Sequence, residues 1–382
     1  MKVNRYFKRG ESKLKKVLFA ITSLTIGGAE KVLVDLANEL CEKYEITIFT
    51  IYPHGEFEKN LSEKIKHKSL YDKQYKELSR IQKMIIPLRV WLKKKKIYEK
   101  YIKENFDIEI AFLEGPVTRL ISVRNNNVKK IAWIHNDISK VFGNSLKSKI
   151  KKMVDERIYN KFDKLIFVSK DNKENFEKIY KNNEIKKEVV YNYINAENII
   201  KKSKEPIKEK FEKNELNFVT VARLVEQKGI DRLVNVHSKL IKEGLKHKIW
   251  VVGDGPEYNK INGMIKNNNV EETFILLGKK ENPYPYIKNA DYFCLLSYFE
   301  GYGMVLEEAK ILEKNILITD TAAREAVEGY EYAETIENSE SGIYNKLRNI
   351  ILQKNKKAIE TNSLNKYDNK KIIKKIEEIL GE

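Results

Sequence analysis

Short apolar runs alternate with amphipathic segments along the chain. The apolar runs span 16–22, 45–51, 107–113, 129–135 and 163–168 in the first half, and 216–222, 248–253, 273–278, 291–297 and 315–320 in the second. Between them lie segments whose apolar residues recur at helical spacing, for example 28–43 and 228–244. Near-continuous apolar strands that alternate with helices are typical of parallel sheets covered on both faces. The pattern therefore predicts an α/β protein with two doubly wound parallel sheets.

A charged stretch with few apolar anchors, residues 191–215, separates the two series of elements. It contains Pro206, and we place the domain boundary near Tyr193. A chain of 382 residues also exceeds the usual size of a single hydrophobic core. We predict one domain over residues 1–193, a second over 194–365, and a terminal amphipathic helix within 366–382.

Composition and cysteine content narrow the class of protein. Hydrophobic residues make up 42% of the chain, enough for globular cores, and no run of about 18 apolar residues indicates a membrane span. The basic N-terminal segment lacks the apolar centre of a signal peptide. Cys41 and Cys294 stand far apart, without metal-ligand spacing around either. We expect a cytoplasmic protein, either soluble or peripheral on the inner face of the cell membrane.

The net charge of +18 is concentrated in the first half of the chain. Residues 1–200 hold 42 Lys and Arg against 26 Asp and Glu, a surplus of +16, whereas the remainder holds 31 against 29. Solvated basic helices explain such a surplus, and so does a basic face that meets lipid headgroups, a lipid pyrophosphate or nucleic acid. The segment 90–105 is the best local candidate for a membrane contact, because four successive lysines adjoin Trp91 and other apolar residues. An ordinary packed helix with a solvated back fits that segment equally well.

Glycines and cations collect where strands are predicted to end. Gly27 and Gly28 follow the first strand and open a helix, which suits the close approach of a phosphate and equally a tight turn without a ligand. Arg223 stands at the end of the first strand of the second half, and Lys228 opens the following helix. Because a helix N-terminus prefers acids, two cations there indicate either a bound anion, such as a diphosphate, or surface ion pairs.

His135 ends the predicted strand 129–135, at the edge where open parallel sheets bind their ligands. A buried histidine with satisfied hydrogen bonds and a histidine that contacts a ligand are both consistent with this position. A Gly-Asp-Gly-Pro turn at 253–256 ends another strand, and it has a ready explanation as a structural turn.

Two acids flank a glycine-rich turn in the segment SYFEGYGMVLEEAK, residues 297–310. Glu300 follows a predicted strand, Gly303 lies in the turn, and Glu308 lies in the next helix. A turn from strand to helix presents backbone N–H groups and the positive end of a helix dipole. Acids and amides in one turn suit a ligand that carries both hydroxyl and phosphate groups.

Five segments together resemble the retaining glycosyltransferases of family 4, which have the GT-B fold. In chain order they are GGAEKVLVDLA, WIHND, VARLVEQKGIDRLV, VVGDGPEY and SYFEGYGMVLEEAKILEKNILITD, spread over residues 27–320. The last segment holds that family's E-x7-E pattern, with Glu300 and Glu308 as the two acids. The resemblance implies two Rossmann-like domains that face a cleft, the first binding an acceptor and the second a nucleotide-sugar. It also implies that the terminal helix crosses back to the first domain.

The resemblance implies how the donor's diphosphate is bound. Arg223 and Lys228 would neutralise this leaving group, so that no metal or other cofactor is required. Backbone N–H groups of four further residues would donate to the same phosphates: Gly28, Gly303, Met304 and Val305.

The resemblance assigns the remaining matched residues to the sugar moieties. Glu308 would accept hydrogen bonds from the ribose hydroxyls, and Glu300 and His135 would contact the donor sugar, with Glu300 steadying the positive charge that develops on its ring. Glu307 precedes Glu308, which leaves an assignment one residue earlier open, although the spacing from Glu300 favours Glu308. Tyr193 stands where the family has a glycine in the hinge segment.

The predicted function is transfer of a hexose or N-acetylhexosamine from a nucleotide diphosphate sugar, expected to be UDP-linked, with retention at the anomeric carbon. The expected acceptor is a saccharide or lipid-linked glycan in the assembly of capsule or another bacterial surface polysaccharide. Two alternatives stay open. One is a GT-B nucleotide-sugar epimerase, although such enzymes carry different acids from the E-x7-E pair. The other is a basic nucleic-acid-binding protein, although RNP, KH and helix-turn-helix signatures are missing from the sequence and we expect no nucleic-acid partner.

Overall fold

The computed structural model describes residues 14–25, 27–102, 106–123, 125, 127–136, 146–181, 184–212, 214–353 and 369–381. The chain divides into two compact units. One unit holds the residues up to Ile194 together with the C-terminal segment from Ile372, and the other runs from Asn195 to Lys371. Each unit contains one sheet, and the paired strands of both sheets are parallel.

The first unit is built on a seven-stranded sheet. Its strands are β1 (Lys16–Ile21), β2 (Glu45–Thr50), β3 (Lys66–Ser69), β4 (Ile108–Ala111), β5 (Lys129–Ile134), β6 (Lys164–Phe167) and β7 (Lys186–Val189). Its helices are α1 (Gly28–Leu40), α2 (Arg80–Tyr101), α3 (Pro116–Ile121), α4 (Leu146–Tyr159) and α5 (Lys170–Ile179). The spatial order β3-β2-β1-β4-β5-β6-β7 reverses between β1 and β4, as in Rossmann-like sheets.

The second unit is built on a six-stranded sheet. Its strands are β8 (Leu216–Val221), β9 (His247–Val252), β10 (Phe274–Gly278), β11 (Tyr292–Leu295), β12 (Asn315–Thr319) and β13 (Ala333–Ile336). Its helices are α6 (Ala196–Lys202), α7 (Ile230–Lys242), α8 (Tyr258–Asn267), α9 (Tyr284–Asn289), α10 (Met304–Ile311) and α11 (Glu340–Gln353). The order β10-β9-β8-β11-β12-β13 reverses between β8 and β11, so both units repeat the same winding.

Apolar side chains cover both faces of the central strands. In the first sheet, every residue of β1 after Lys16 is buried. In the second, Phe218 of β8 and Val251 of β9 share a core with Leu233 and Leu240 of α7. Burial on both faces explains why these strands read as continuous apolar runs rather than as alternating patterns.

The ten predicted strands are all present, with ends that differ by one or two residues, which confirms the two doubly wound sheets. Three further strands, β3, β7 and β13, lie at sheet edges and have four residues each. Their sequences KHKS, KKEV and AETI lack an apolar run because an edge strand buries less of its surface, and edges are commonly kept short and charged.

The last helix, α12 (Asn369–Gly381), packs on the first unit through Ile376, Ile379 and Leu380, which are buried. Lys15 Nζ donates to Leu380 O at 3.1 Å, and Lys129 Nζ donates to Ile379 O at 2.7 Å. Cations at a helix C-terminus satisfy carbonyl groups that have no partner within the helix. The helix thus returns to the first unit, as the sequence predicts; residues 366–368 and 382 of the predicted range lie outside the described residues.

Candidate active site

The carboxyl ends of β8 and β11 lie side by side in the second sheet, where the strand order reverses. Doubly wound sheets bind their ligands at such a point. The segment after β8 carries Arg223 and Lys228, and the segment after β11 carries Glu300. The topology therefore brings three of the predicted site residues to one edge of the sheet.

Glu300 forms an ion pair with Lys228, through its Oε2 atom and the lysine Nζ. The hydroxyl of Ser297 donates to the same oxygen at 3.3 Å, and the N–H of Gly301 donates to Oε1 at 3.2 Å. Both charged side chains are largely buried. These contacts hold the Glu300 carboxylate in one orientation beyond the end of β11.

Hydrogen bonds to main-chain carbonyl groups connect the segments that follow β8 and β11. The N–H of Tyr298 donates to Gln227 O at 2.9 Å, and the Arg232 guanidinium donates to Leu296 O at 2.7 and 3.2 Å. Gly229 adopts a φ of 62°, and a Cβ there would lie 2.7 Å from Leu296 O. Glycine is required because both the left-handed backbone and the close approach exclude a side chain.

The Arg223 side chain is exposed, and none of the described residues hydrogen-bonds or pairs with its guanidinium. The turn that follows β9 packs against its backbone. A Cβ at Gly253 would lie 1.8 Å from Ala222 O, and the N–H of Leu224 donates to Asp254 O at 3.1 Å. The Gly-Asp-Gly-Pro turn thus fixes the main chain around Arg223, and the guanidinium remains available to an anion.

Helix α10 begins at Met304, directly after Gly303, whose φ is 71°. The N–H groups of Met304 and Val305 lie in the first turn, at the positive end of the helix dipole. This is the arrangement that the sequence predicts for the three positions, and their contact with a phosphate stays a prediction.

Two adjacent acids of α10 are buried and have different partners. The Tyr302 hydroxyl donates to Glu307 Oε1 at 2.6 Å, and Lys310 Nζ lies 2.8 Å from Glu307 Oε2. The Tyr284 hydroxyl donates to Glu308 Oε1 at 3.2 Å. Glu307 is therefore engaged by its own helix and the turn before it. The contact of Glu308 with the ribose, which the family resemblance implies, stays a prediction.

In the first unit, Glu114 organises the backbone at the end of β5. The N–H groups of His135 and Asn136 both donate to Glu114 Oε1 at 2.7 Å, and Asn136 Nδ2 donates to Oε2 at 2.8 Å. Burial raises the pKa of Glu114, and these hydrogen bonds to its carboxylate oppose that rise. Glu114 was not among the site residues predicted from the sequence. The available signal was an acid directly after the apolar strand run at 107–113, before Gly115 and Pro116.

The His135 side chain is half-buried with its Nε2 atom covered, and its ring packs on Phe112 with 4.7 Å between the ring centroids. Burial lowers the pKa of His135 to about 3, so the ring is neutral at physiological pH. None of the described residues hydrogen-bonds to its buried Nε2 atom. Asp137, the last residue of the WIHND segment, lies outside the described residues.

Gly28 begins α1 after Gly27, whose φ of −164° is extended backbone. A Cβ on Gly27 would lie 2.1 Å from an oxygen of Glu30, so this carboxylate folds back over the start of the helix. An acid in the first turn complements the helix dipole. The phosphate contact predicted for Gly28 stays a prediction, and a bound phosphate there would meet the Glu30 charge.

Two family models match consecutive parts of the chain. Glycosyltransferase Family 4 matches residues 26–198, and Glycosyl transferases group 1 matches residues 201–362. Together they cover every strand except β1 and every predicted site residue.

Proteins similar to this chain are found among bacterial and archaeal transferases. The N-acetylgalactosamine-N,N'-diacetylbacillosaminyl-diphospho-undecaprenol 4-alpha-N-acetylgalactosaminyltransferase of Campylobacter jejuni is 27% identical over 350 residues, which is 88% of this chain and 90% of that protein. An uncharacterized glycosyltransferase of Methanocaldococcus jannaschii is 25% identical over 295 residues, 75% of this chain and 71% of that protein.

A solved structure shares the fold. HepE from Anabaena, crystallised in complex with UDP and glucose, matches with a TM-score of 0.72 at 17% identity, covering 97% of this chain and 100% of that one. With both family models matched in order, relatives along most of the chain and two sheets of the same winding, the protein belongs to the GT-B glycosyltransferases of family 4.

Proposed function

We propose that this glycosyltransferase moves a hexose or N-acetylhexosamine from a UDP-sugar to a lipid-linked glycan, with retention at the anomeric carbon. The donor assignment rests on the Lys228–Glu300 pair and on Arg223, whose guanidinium has no partner among the described residues; all three follow β8 or β11, where the strand order of the second sheet reverses. A nucleotide-sugar offers a diphosphate to the cations and sugar hydroxyls to the acid.

The similar proteins support the nature of both substrates. The Campylobacter jejuni relative is named for transfer to a glycan on diphospho-undecaprenol, a lipid carrier. The Anabaena structure contains UDP and glucose. No helix among the described residues is long and apolar enough to cross a bilayer. From the lipid carrier in the name of the Campylobacter jejuni relative, we propose that the enzyme meets its acceptor from the cytoplasmic side, as a peripheral protein in surface-polysaccharide assembly.

In the proposed mechanism the cations stabilise the leaving group. The acceptor hydroxyl attacks the anomeric carbon on the face from which UDP departs, the bond from that carbon to the diphosphate oxygen breaks, and the hydroxyl proton passes to a diphosphate oxygen. Arg223 binds the departing diphosphate through several guanidinium N–H groups, and Lys228 binds it through its compact ammonium charge. Two fixed cations supply the charge stabilisation for which other transferases use a metal ion, so we propose that no metal is required.

The acids and His135 act on the donor's hydroxyl groups. Glu300 accepts from the sugar and stabilises positive charge that develops on its ring, and Glu308 accepts from the ribose. His135 contributes a neutral imidazole whose Nε2 forms a hydrogen bond with a sugar hydroxyl. Burial keeps this ring uncharged.

Thermal-shift screening against nucleoside diphosphates and nucleotide sugars, with EDTA present, tests the donor assignment. We expect stabilisation by UDP and by one UDP-sugar in particular, and loss of both shifts in Arg223→Ala. Proton NMR of the product then reports the anomeric configuration through its coupling constant. Inversion, a need for divalent metal, or release of an epimerised sugar without an acceptor would each overturn the corresponding part of the proposal.

A further inference from the structure

Helix α2 exposes a stripe of large apolar side chains. Spacings of 3, 4, 7 and 11 residues from the first member place them on one face of the helix. The members of this exposed apolar stripe, with their exposed fractions, are Ile81 (68%), Met84 (79%), Ile85 (51%), Leu88 (51%) and Leu92 (69%). From first to last the stripe extends about 17 Å along the helix axis. Single exposed apolar residues are common on protein surfaces, but a continuous stripe indicates a contact.

The opposite face of α2 is the one that packs on the protein. Ile86, Val90 and Tyr98 are buried in the core of the first unit. The Tyr98 hydroxyl donates to Glu109 Oε1 at 2.5 Å, and Lys130 Nζ donates to Glu109 Oε2 at 2.5 Å, both inside the core. These contacts fix the rotation of the helix about its axis. The stripe is therefore directed away from the core.

Basic residues surround the stripe. Helix α2 carries eight basic residues and a single acid, Glu99. Four of the cations near the stripe have exposed side chains: Arg89, Lys93, Lys95 and Lys96. An apolar face bordered by cations is complementary to a bilayer surface that contains anionic lipid, since the apolar groups enter the acyl boundary while the cations meet the headgroups.

We propose that α2 docks the enzyme on an anionic phospholipid membrane, lying in the plane of the interface with the exposed apolar stripe inserted. This inference rests on the proposed lipid-linked acceptor, and it assigns the surface and the lipid chemistry that hold the enzyme beside it. Pairing of the stripe with a second copy of the chain would bring two helices of high positive charge together, which electrostatic repulsion opposes. An anionic surface neutralises that charge instead.

Vesicle co-sedimentation of the full-length protein tests this inference. The vesicles consist of phosphatidylcholine with or without phosphatidylglycerol, at low and at high salt. We expect binding that requires phosphatidylglycerol and weakens with salt. Ile85→Ser with Leu88→Ser should weaken binding by about tenfold or more, because two side chains lose their burial in the acyl boundary. Both positions are exposed, so the free energy of unfolding should change little.

A matched control lies on the other unit. Leu352 is 52% exposed on α11, and Leu352→Ser should leave vesicle binding unchanged. Because Cys41 and Cys294 are buried, an environment-sensitive dye can be attached to an introduced cysteine with little background. Dye at Leu88→Cys should shift to the blue when vesicles are added, and dye at Leu352→Cys should not.

The outcomes separate this inference from the proposed function. Wild-type protein that does not bind anionic vesicles, or that binds them equally well in the Ile85→Ser, Leu88→Ser variant, overturns the membrane assignment. Light scattering that shows a dimer in wild type and a monomer in that variant would assign the stripe to a second copy instead. The thermal shift with UDP is measured on the same samples. Its absence counts against the donor site, and its presence without vesicle binding counts against the stripe alone.

Discussion

Lys228 and Glu300 pair across 72 residues of sequence, at the adjoining ends of β8 and β11. The pair places the positive charge of Lys228, which suits a diphosphate, next to the carboxylate of Glu300, which suits sugar hydroxyls. Without a donor, each residue compensates the other, so that neither charge is buried alone. In the proposed function a bound donor would give both residues new partners, and removal of either one should therefore affect nucleotide binding and sugar transfer differently.

Glu300→Gln should lower the turnover number by about a hundredfold or more, because it removes the charge that stabilises the developing cation. UDP binding should be retained or become tighter, since Lys228 no longer has a competing carboxylate. Initial rates and calorimetric titration with UDP measure the two effects separately.

The control for this substitution is Glu271→Gln, which changes an exposed acid of the same unit. It should leave both quantities unchanged. Near-normal turnover in Glu300→Gln would contradict the role of the carboxylate, and a parallel loss of UDP affinity would show that Glu300 organises the nucleotide site rather than the transition state.

Arg223→Ala should weaken UDP binding by about tenfold or more, because it removes charge-assisted hydrogen bonds to the diphosphate. The melting temperature without ligand should stay unchanged, since the side chain is exposed and has no partner among the described residues. Arg324→Ala is the matched control, because Arg324 is also exposed but is paired with Asp320. Added Mg²⁺ should not rescue Arg223→Ala, and UDP affinity equal to that of wild type would refute the assignment.

Glu308→Gln and Glu307→Gln should have different effects although the residues are adjacent. The first should remove the preference for UDP over 2′,3′-dideoxy-UDP, because a ribose without hydroxyls cannot donate to the carboxylate. The second should lower the melting temperature, because the buried Glu307 loses charge-assisted contacts with Tyr302 and Lys310. Calorimetry with both nucleotides distinguishes them, and loss of discrimination in Glu307→Gln alone would move the ribose contact one residue earlier.

The sequence predicted the strands and the residues at their ends because burial on both faces leaves long apolar runs that stop at the turns. The contact between Lys228 and Glu300 cannot be predicted from local sequence patterns. It depends on β8 and β11 being neighbours, and spatial strand order is a property of the whole sheet. Only the family resemblance placed these two residues at one ligand. The role of Glu114 also depends on a neighbour relation, between β4 and β5.

Helix α2 shows a second limit of sequence patterns. Its lysine run led to the hypothesis that the segment 90–105 contacts a membrane. In that segment Val90 and Tyr98 are buried, and Leu92 is the one member of the exposed apolar stripe. Residues 103–105 of that segment lie outside the described part of the chain. A helix with apolar residues on two opposite faces has no periodicity that distinguishes the core face from the surface face. Only the tertiary packing shows which face is buried.

Glu109→Gln should lower the free energy of unfolding by about 3–5 kcal/mol, because it leaves Lys130 without a counter-charge in the core of the first unit. Chemical denaturation measures this loss. Glu42→Gln removes the exposed pair with Lys64 and should change the free energy of unfolding little, because solvent screens an exposed pair. Equal effects of the two substitutions would mean that the Glu109 pair is solvated in solution.

A chain of buried histidines should make the second unit sensitive to acid. His247 Nδ1 lies 2.8 Å from Leu245 O, which only accepts, so Nδ1 carries the proton and Nε2 accepts from His237 Nδ1 at 2.8 Å. His237 Nε2 then accepts from the Thr273 hydroxyl at 2.8 Å. With both histidines neutral, every ring nitrogen of the pair has a hydrogen-bond partner, and burial disfavours the charged form of either ring.

Burial lowers the pKa of His237 to about 2 and that of His247 to about 4. In the unfolded chain both titrate near the ordinary histidine value of about 6.5, so below that pH the unfolded state binds protons that the folded state does not. Stability from this pair is therefore fully present above about pH 6.5 and falls as the pH decreases towards the folded pKa values. Burial also lowers the pKa of His135, which lies in the first unit, so its protonation in the unfolded chain likewise lowers the stability as the pH falls.

The double variant His237→Gln, His247→Gln should be less stable at neutral pH, because it breaks the hydrogen-bonded chain, yet it should lose less further stability on acidification. The melting temperature measured from neutral pH to about pH 5 gives the slope, in a range where most carboxylates remain ionised. His54→Gln, at an exposed histidine, should keep the wild-type slope. An unchanged slope in the double variant would show that His237 and His247 do not set the acid sensitivity, and would leave His135 and the paired carboxylates as its source.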